Sequence, residues 1–284
     1  MLLIIDSGAT KTEYALSLHG EIVFRFVNEG ININYRLDEE VHAILTEFIA
    51  ALPKDFHSQI HHLFFYGAGC GRQANAERLS KILEQLFHFA SVTVYSDLLG
   101  ACHALCGRQK GWVAILGTGS SSCYYDGENI TFMAPSLGYM FGDEGSGTHL
   151  GKLFLAAYLS DSLPQGVKKD FEEKHQLSAM TVLNRIYQQA LPNRFFSSFA
   201  PYLLENMHIP EISEICSSSF HEFIEKQIRY HPENIPVKEL NLIGSIAFYF
   251  RKLISKVAEK HGVVIHKTII SPTEDLIIYH NQIF

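Results

Sequence analysis

The sequence predicts an α/β protein built from two similarly wired halves. Short continuous apolar runs, Leu2–Ile5 and Trp112–Leu116 among them, have the length and flanking turns of strands buried on both faces. Stretches with helical periodicity, such as Leu37–Leu52 and Ala74–Phe87, stand between runs of this kind. The order strand, turn, strand, turn, strand occurs twice, each time with a small glycine turn after its first strand, although the two copies share little sequence.

Taken in order, Leu2–Ile5, Tyr14–Leu18 and Glu21–Val27 read as an antiparallel meander. An asparagine-rich loop, Gly30–Tyr35, leads to the helix Leu37–Leu52, which buries Val41, Ile44, Leu45, Phe48 and Ile49 on one face. Strand Leu63–Tyr66, helix Ala74–Phe87, strand Val92–Tyr95 and helix Leu98–Cys106 complete the first half as crossover units. Trp112–Leu116, Ser121–Tyr125 and Ile130–Ala134 then repeat the meander. Thr148–Leu159 is helical, and Phe171–Tyr230 is mostly helical with breaks at Pro192, Pro201 and Pro210. Strand Leu240–Ile243, a helix from Gly244 to about His261, strand Val263–Ile270 and a last helix, Glu274–His280, close the chain. Ser271-Pro272-Thr273 caps that last helix.

The chain has 284 residues, 47% hydrophobic and 19% charged, which suffices for a sizeable core in one large domain or two ordinary ones. A net charge of −7 without a lysine or arginine stripe argues against a nucleic-acid partner, and a nucleotide would need local donors. The five cysteines, Cys70, Cys102, Cys106, Cys123 and Cys216, match no zinc spacing and read as reduced structural thiols of a cytoplasmic protein. No window approaches the roughly 20 apolar residues of a membrane span. The opening run Met1–Asp6 is too short for a signal peptide and has no basic lead.

Chemistry concentrates at strand ends, where backbone can approach a ligand. The turn Asp6-Ser7-Gly8-Ala9-Thr10-Lys11-Thr12 offers backbone N–H groups around a glycine, with Thr10 and Lys11 as further donors. It is either a phosphate nest or an ordinary hairpin; a Walker loop is excluded by spacing and by the strand that follows. Asp6 is a candidate ligand of Mg²⁺, which keeps most of its waters. Gly117-Thr118-Gly119-Ser120 offers the same kind of nest in the second meander. Asp97, at the end of its strand, is either a general base or a helix N-cap, and both roles can coexist. Asp143 and Glu144 either read sugar hydroxyls or cap the helix that follows, and Asn32 and Asn34 either bind hydroxyls or form a turn. Gly244-Ser245 either lets a nucleotide approach closely or packs a helix tightly on a strand.

Asp6–Thr12, Ser96-Asp97, Leu116–Ser120 and Gly138–Ser146, in that order, resemble the N-acetylglucosamine kinase family of the BadF/BadG/BcrA type, within the actin, heat-shock chaperone and sugar kinase superfamily. The resemblance covers residues 1 to about 151 well, and the rest through Leu242–Ala247 and the Ser271–Glu274 stretch. It implies two ribonuclease-H-like (actin-like ATPase) domains with mixed five-stranded sheets flanking a central cleft, at 1–108 plus 273–284 and 109–272. It implies ATP with Mg²⁺, held by Ser7, Gly8, Thr10, Lys11, Thr12, Gly117, Thr118, Gly119, Ser120, Gly244 and Ser245, with Asp6 at the metal. It implies Asp97 as base on the 6-hydroxyl of an amino sugar contacted by Asn34, Gly69, Thr118, Gly138, Asp143 and Glu144. The partner is then a small-molecule sugar, with no nucleic acid and no membrane, and a homodimer is the assembly considered. Two departures stand out: Ser7 replaces a frequent glycine, and Pro272-Thr-Glu-Asp275 replaces a glycine-rich segment on the adenine side.

The competing readings are an N-acetylmuramic acid kinase, an ATPase activator of a radical dehydratase, and a non-catalytic nucleotide-dependent sensor. The chain has no Cys-x-x-Cys for the iron–sulfur cluster of such an activator, and Asp97 supplies the base that a sensor would lack.

Overall fold

The computed structural model describes residues 1–189 and 191–282. Packing divides the chain into two compact units. The first comprises Met1–Val113, Tyr124–Phe132 and the chain from Ser271 onward; the second comprises Ala114–Cys123 and Met133–Ile270.

In the first unit the elements run β1 (Leu2–Ser7), β2 (Lys11–Leu18), β3 (Glu21–Glu29), α1 (Asp38–Ala51), β4 (His62–Gly67), α2 (Gln73–Leu86), β5 (Ser91–Ser96) and α3 (Asp97–Cys106). The strands form one mixed sheet in the order β3-β2-β1-β4-β5. β1 pairs antiparallel with β2, and β2 with β3. β4 lies parallel to both β1 and β5. β1 and β4 are buried on both faces, which is why they read as unbroken apolar runs. Leu3, Ile5, Leu63 and Phe65 pack with Val41, Leu45 and Phe48 of α1 and Leu79 and Leu83 of α2 in one core. Three acids, Asp38, Glu39 and Glu40, begin α1, where they favour the positive end of the helix dipole.

The chain continues through β6 (Gly111–Leu116), β7 (Ser120–Tyr125), β8 (Ile130–Met133), α4 (Gly138–Phe141), α5 (Gly147–Leu159), α6 (Gln165–His175), α7 (Ala179–Gln188), α8 (Pro192–Ser197), α9 (Ala200–Glu205) and α10 (Pro210–Tyr230). It ends with β9 (Glu239–Ile243), α11 (Ser245–Tyr249), α12 (Arg251–Lys260), β10 (Val264–Ile269) and α13 (Thr273–Asn281). The second sheet has the order β10-β9-β6-β7-β8. Strand for strand this is β5-β4-β1-β2-β3 again, so the repeat read from the two meanders extends to the whole sheet. The α/β class and two five-stranded sheets are as expected.

Prolines 192, 201 and 210 sit in the first turns of α8, α9 and α10, where a missing N–H costs nothing. One helix differs from expectation. The stretch from Gly244 to His261 is two helices, broken at Phe250, whose φ of −95° and ψ of 9° leave the helical region. Phe250 is buried there, its ring 5.6 Å from that of Phe220 on α10. Periodicity could not show that packing.

None of the five cysteines forms a disulfide. Among the described residues, no helix is long and apolar enough to cross a membrane.

Candidate active site

The turn between β1 and β2 is closed by the Gly8 N–H, which donates to the Lys11 carbonyl at 3.0 Å. Ser7 and Thr12 flank it with hydroxyls 2.6 Å apart. Both side chains are fully buried. Ser7 Oγ also accepts the Ile31 N–H at 2.8 Å, and Thr12 Oγ1 donates to the Glu29 carbonyl at 2.9 Å. These hydroxyls therefore hold the turn against the end of β3, and the surface that the turn presents is Gly8–Lys11. Gly30 completes the support: a Cβ on it would stand 2.5 Å from the Gly8 carbonyl oxygen. Only glycine lets the two backbones approach this closely.

Asp6 lies among acids. Loss of hydration, then the charges of Asp97 and Glu13, push its carboxyl up to about 7 against the opposing pull of Lys11. Glu13 is itself engaged by Arg25 at 3.1 Å, by Lys11 at 3.6 Å and by the Ser271 hydroxyl at 3.1 Å. Asp97 is the first residue of α3, and Ser96 caps the helix by accepting the Leu99 N–H at 3.2 Å. The capping alternative for Asp97 is thereby corrected. Its Oδ1 accepts the Leu98 N–H at 2.9 Å, and burial pushes its carboxyl upward.

In the asparagine loop, Asn32 Oδ1 accepts the Asn34 N–H at 3.1 Å. Asn75 Nδ2, from α2, donates to Asn34 Oδ1 at 2.8 Å and to the Gly69 carbonyl at 2.9 Å. Asn34 and Gly69, far apart in sequence, are thus brought together by a residue that sequence reasoning missed. Arg78, one turn further along α2, donates to the Ile33 carbonyl at 3.0 Å and to the Arg36 carbonyl at 2.8 Å. An asparagine and an arginine on a helix carry no local signal of this role.

In the second unit, the Gly117 N–H closes the second turn on the Gly119 carbonyl at 3.0 Å. The first residues of α5 rest on it: the Gly147 N–H donates to the Gly117 carbonyl at 2.8 Å, and Thr148 Oγ1 to the Thr118 carbonyl at 2.6 Å. Ser146 caps α5 by accepting the His149 N–H at 3.2 Å, so neither Asp143 nor Glu144 is the cap. Asp143, at a φ of 60°, accepts the Ser120 N–H on Oδ1 at 3.3 Å. Burial pushes its carboxyl upward, partly offset by that N–H. Glu144 takes Lys226 of α10 on both carboxylate oxygens at 2.7 Å. A small concavity is lined by Ser120, Asp143, Glu144 and Lys226, with Pro135 and Leu137. Gly138 opens α4 beside it in sequence but does not line it.

Gly244 precedes α11 at a φ of 116°, and a Cβ there would stand 2.4 Å from the Leu116 carbonyl oxygen. Close backbone packing thus explains the glycine, and Ser245 begins the helix. A broad groove between α1 and α2, lined by residues such as His42, Ala43 and Lys81, includes none of the candidate residues.

No family model matches the sequence. A crystal structure named as the "Putative N-acetylglucosamine Kinase" of Porphyromonas gingivalis is 36% identical, covers 99% of both chains and superposes with a TM-score of 0.94. The N-acetylmuramic acid/N-acetylglucosamine kinase of Clostridium acetobutylicum is 27% identical over 172 residues, 59% of this chain. That match spans 56% of the Clostridium protein's length. A glucokinase of the ROK family from Streptomyces griseus, solved with glucose and AMPPNP, is 12% identical and covers 99% of this chain and 98% of its own, with a TM-score of 0.62. At that identity the likeness is one of fold.

Proposed function

The chain belongs to the N-acetylglucosamine kinase family, and we propose that it transfers the γ-phosphoryl group of ATP to the 6-hydroxyl of an N-acetylated amino sugar, with N-acetylglucosamine as first substrate. The observation that carries this is Asp97. It is a half-buried carboxylate at a strand end whose affinity for a proton is raised by burial, with no cation among the described groups that act on it. A carboxylate of raised pKa is a better general base for a sugar hydroxyl than an exposed one.

In this mechanism Asp97 takes the proton from the attacking hydroxyl. Backbone donors of the Gly8–Lys11 turn, with Thr10 and Lys11, and of the Gly117–Ser120 turn hold phosphate oxygens. Asp143, Asn34, Gly69 and Thr118 contact the sugar. Ser7 and Thr12 act through the shape of their turn, since their hydroxyls are spent on it. Among the described residues no cluster of three or more His, Cys, Asp or Glu side chains could hold a metal ion. Mg²⁺ does not require one, because phosphate and water complete its shell. Asp6, held near 7 by lost hydration and then by neighbouring acids, is a fitting single carboxylate, and the ion's charge would favour its ionised form. When bound, Mg²⁺ neutralises charge on the transferring phosphoryl group.

A second reading, phosphorylation of N-acetylmuramic acid, is favoured by the name of the Clostridium relative. One experiment separates them. ADP release with Mg²⁺ and ATP is measured across N-acetylglucosamine, N-acetylmannosamine, N-acetylmuramic acid, glucosamine and glucose, for the parent and for Asp97→Asn. Turnover with an N-acetyl sugar, reduced by about 10²-fold or more in the variant, is expected. ADP release indifferent to every sugar would overturn the kinase reading.

A further inference from the structure

The segment carrying Asp143 is gripped from two helices. Lys152 of α5 donates to the Tyr139 carbonyl at 2.6 Å. Lys226 of α10 reaches both oxygens of Glu144 at 2.7 Å, and the side chains of that pair are only 15% and 18% exposed. Between these grips Asp143 holds a left-handed backbone, uncommon for a residue with a side chain, and turns its carboxylate onto the Ser120 N–H. A strained conformation persists only where its surroundings over-determine it.

We propose that Glu144 and Lys226 form a positioning pair: their ion pair fixes the backbone at Asp143, so that Asp143 meets the sugar while Glu144 does not. This rests on the kinase reading above. Glu144 has the look of a second sugar ligand because it follows Asp143 among glycines, yet Lys226 already takes both its oxygens. A bidentate, largely enclosed ion pair is also far costlier to break from one side than to exchange as a whole. The titratable groups acting on Asp143 are Glu144, Lys152 and Lys226, and Lys226 offsets the neighbouring charge of Glu144.

Kinetics of Lys226→Glu, Glu144→Lys and the swapped double variant test the pair, with N-acetylglucosamine and ATP varied separately. Each single variant is expected to raise the KM for N-acetylglucosamine on the order of tenfold or more, with the KM for ATP little changed. The swapped variant, which restores the ion pair with its ends exchanged, is expected to recover most of that loss. Lys226→Arg, which keeps the charge, is expected to stay near the parent.

A swapped variant as poor as Glu144→Lys would mean that Glu144 touches the sugar, and would overturn the proposal. So would Lys226→Glu at the parental KM, or single variants whose kcat and thermal midpoint fall while both KM values rise together. Silence of the parent with every sugar would instead sink the kinase reading, and this inference with it.

Discussion

The Tyr66 hydroxyl on β4 lies 2.7 Å from His280 Nε2 on α13, across 214 positions of sequence. The same hydroxyl is 2.9 Å from His103 Nδ1 on α3. A phenol has one proton, so it donates to one imidazole and accepts from the other. His280 Nδ1 is buried with no hydrogen-bond partner among the described residues. The arrangement that avoids a buried, unpaired N–H leaves Nδ1 bare: His280 Nε2–H donates to Tyr66, and Tyr66 donates to His103. One buried hydroxyl thus ties α13 to α3, the helix that begins at Asp97.

Tyr66→Phe strands both imidazoles. It is expected to lower stability by about 1–3 kcal/mol, read as a shift of the denaturant midpoint at constant slope. Burial depresses both histidines to about 4. Their folded values lie below the unfolded ones, so this contribution to stability is complete above about 6.5 and is lost as pH falls toward 4. Thermal midpoints measured from pH 7 to 4 should therefore fall steeply in the parent and less so in a His280→Gln variant. A parallel decline would mean that His280 is not held neutral.

The local parts of this fold were legible in the sequence, and the reason is physical. Strands β1, β4, β6 and β9 are buried runs, and their identity is set by composition over a few residues. The glycine turns and Asp97 lie beside those runs, so they were found with them. Asn75, Arg78 and Lys226 were not, because each acts across a long stretch of chain through an ordinary helical position. The caps stay open in the sequence for a subtler reason. Acids and serines both favour helix N-termini, and only geometry shows that Ser96 and Ser146 do the capping while Asp97 and Asp143 keep carboxylates for other work. The C-terminal departure also finds a structural use: Arg25 bridges Glu13 and Glu274 at 3.1 and 2.6 Å, fastening α13 to β2 and β3.

Gly30 offers a test of the first turn without touching its residues. Its N–H donates to the Thr10 carbonyl at 3.2 Å. An added Cβ would meet the Gly8 oxygen at 2.5 Å and the Thr10 nitrogen at 2.8 Å, all backbone that cannot swing aside. Gly30→Ala must therefore displace the turn. The expected result is a loss of about 1–3 kcal/mol of stability. It comes with a KM for ATP raised roughly tenfold, while the KM for sugar changes less. A larger effect on sugar than on ATP would contradict the assignment of this turn to phosphate.

Asp6 makes the pH prediction whose sign runs opposite to that of the histidines. Its carboxyl is raised from 3.8 to about 7 by lost hydration and by Asp97 and Glu13. The folded value lies above the unfolded one, so ionising Asp6 costs stability. That cost accrues as pH rises from about 4 and is complete above about 7. In the absence of ligand, Asp6→Asn should therefore be more stable than the parent at pH 8, on the order of 2 kcal/mol once solvent screening is allowed for, and nearly equal to it at pH 4. Mg²⁺ with ADP should raise the parent's thermal midpoint more at pH 8 than at pH 6, because the ion competes with the proton for the same carboxylate. The variant should lose most of that increment together with its turnover. Equal stabilisation of parent and variant by Mg²⁺ and ADP at both pH values would remove Asp6 from the metal and leave it a structural acid at the strand end.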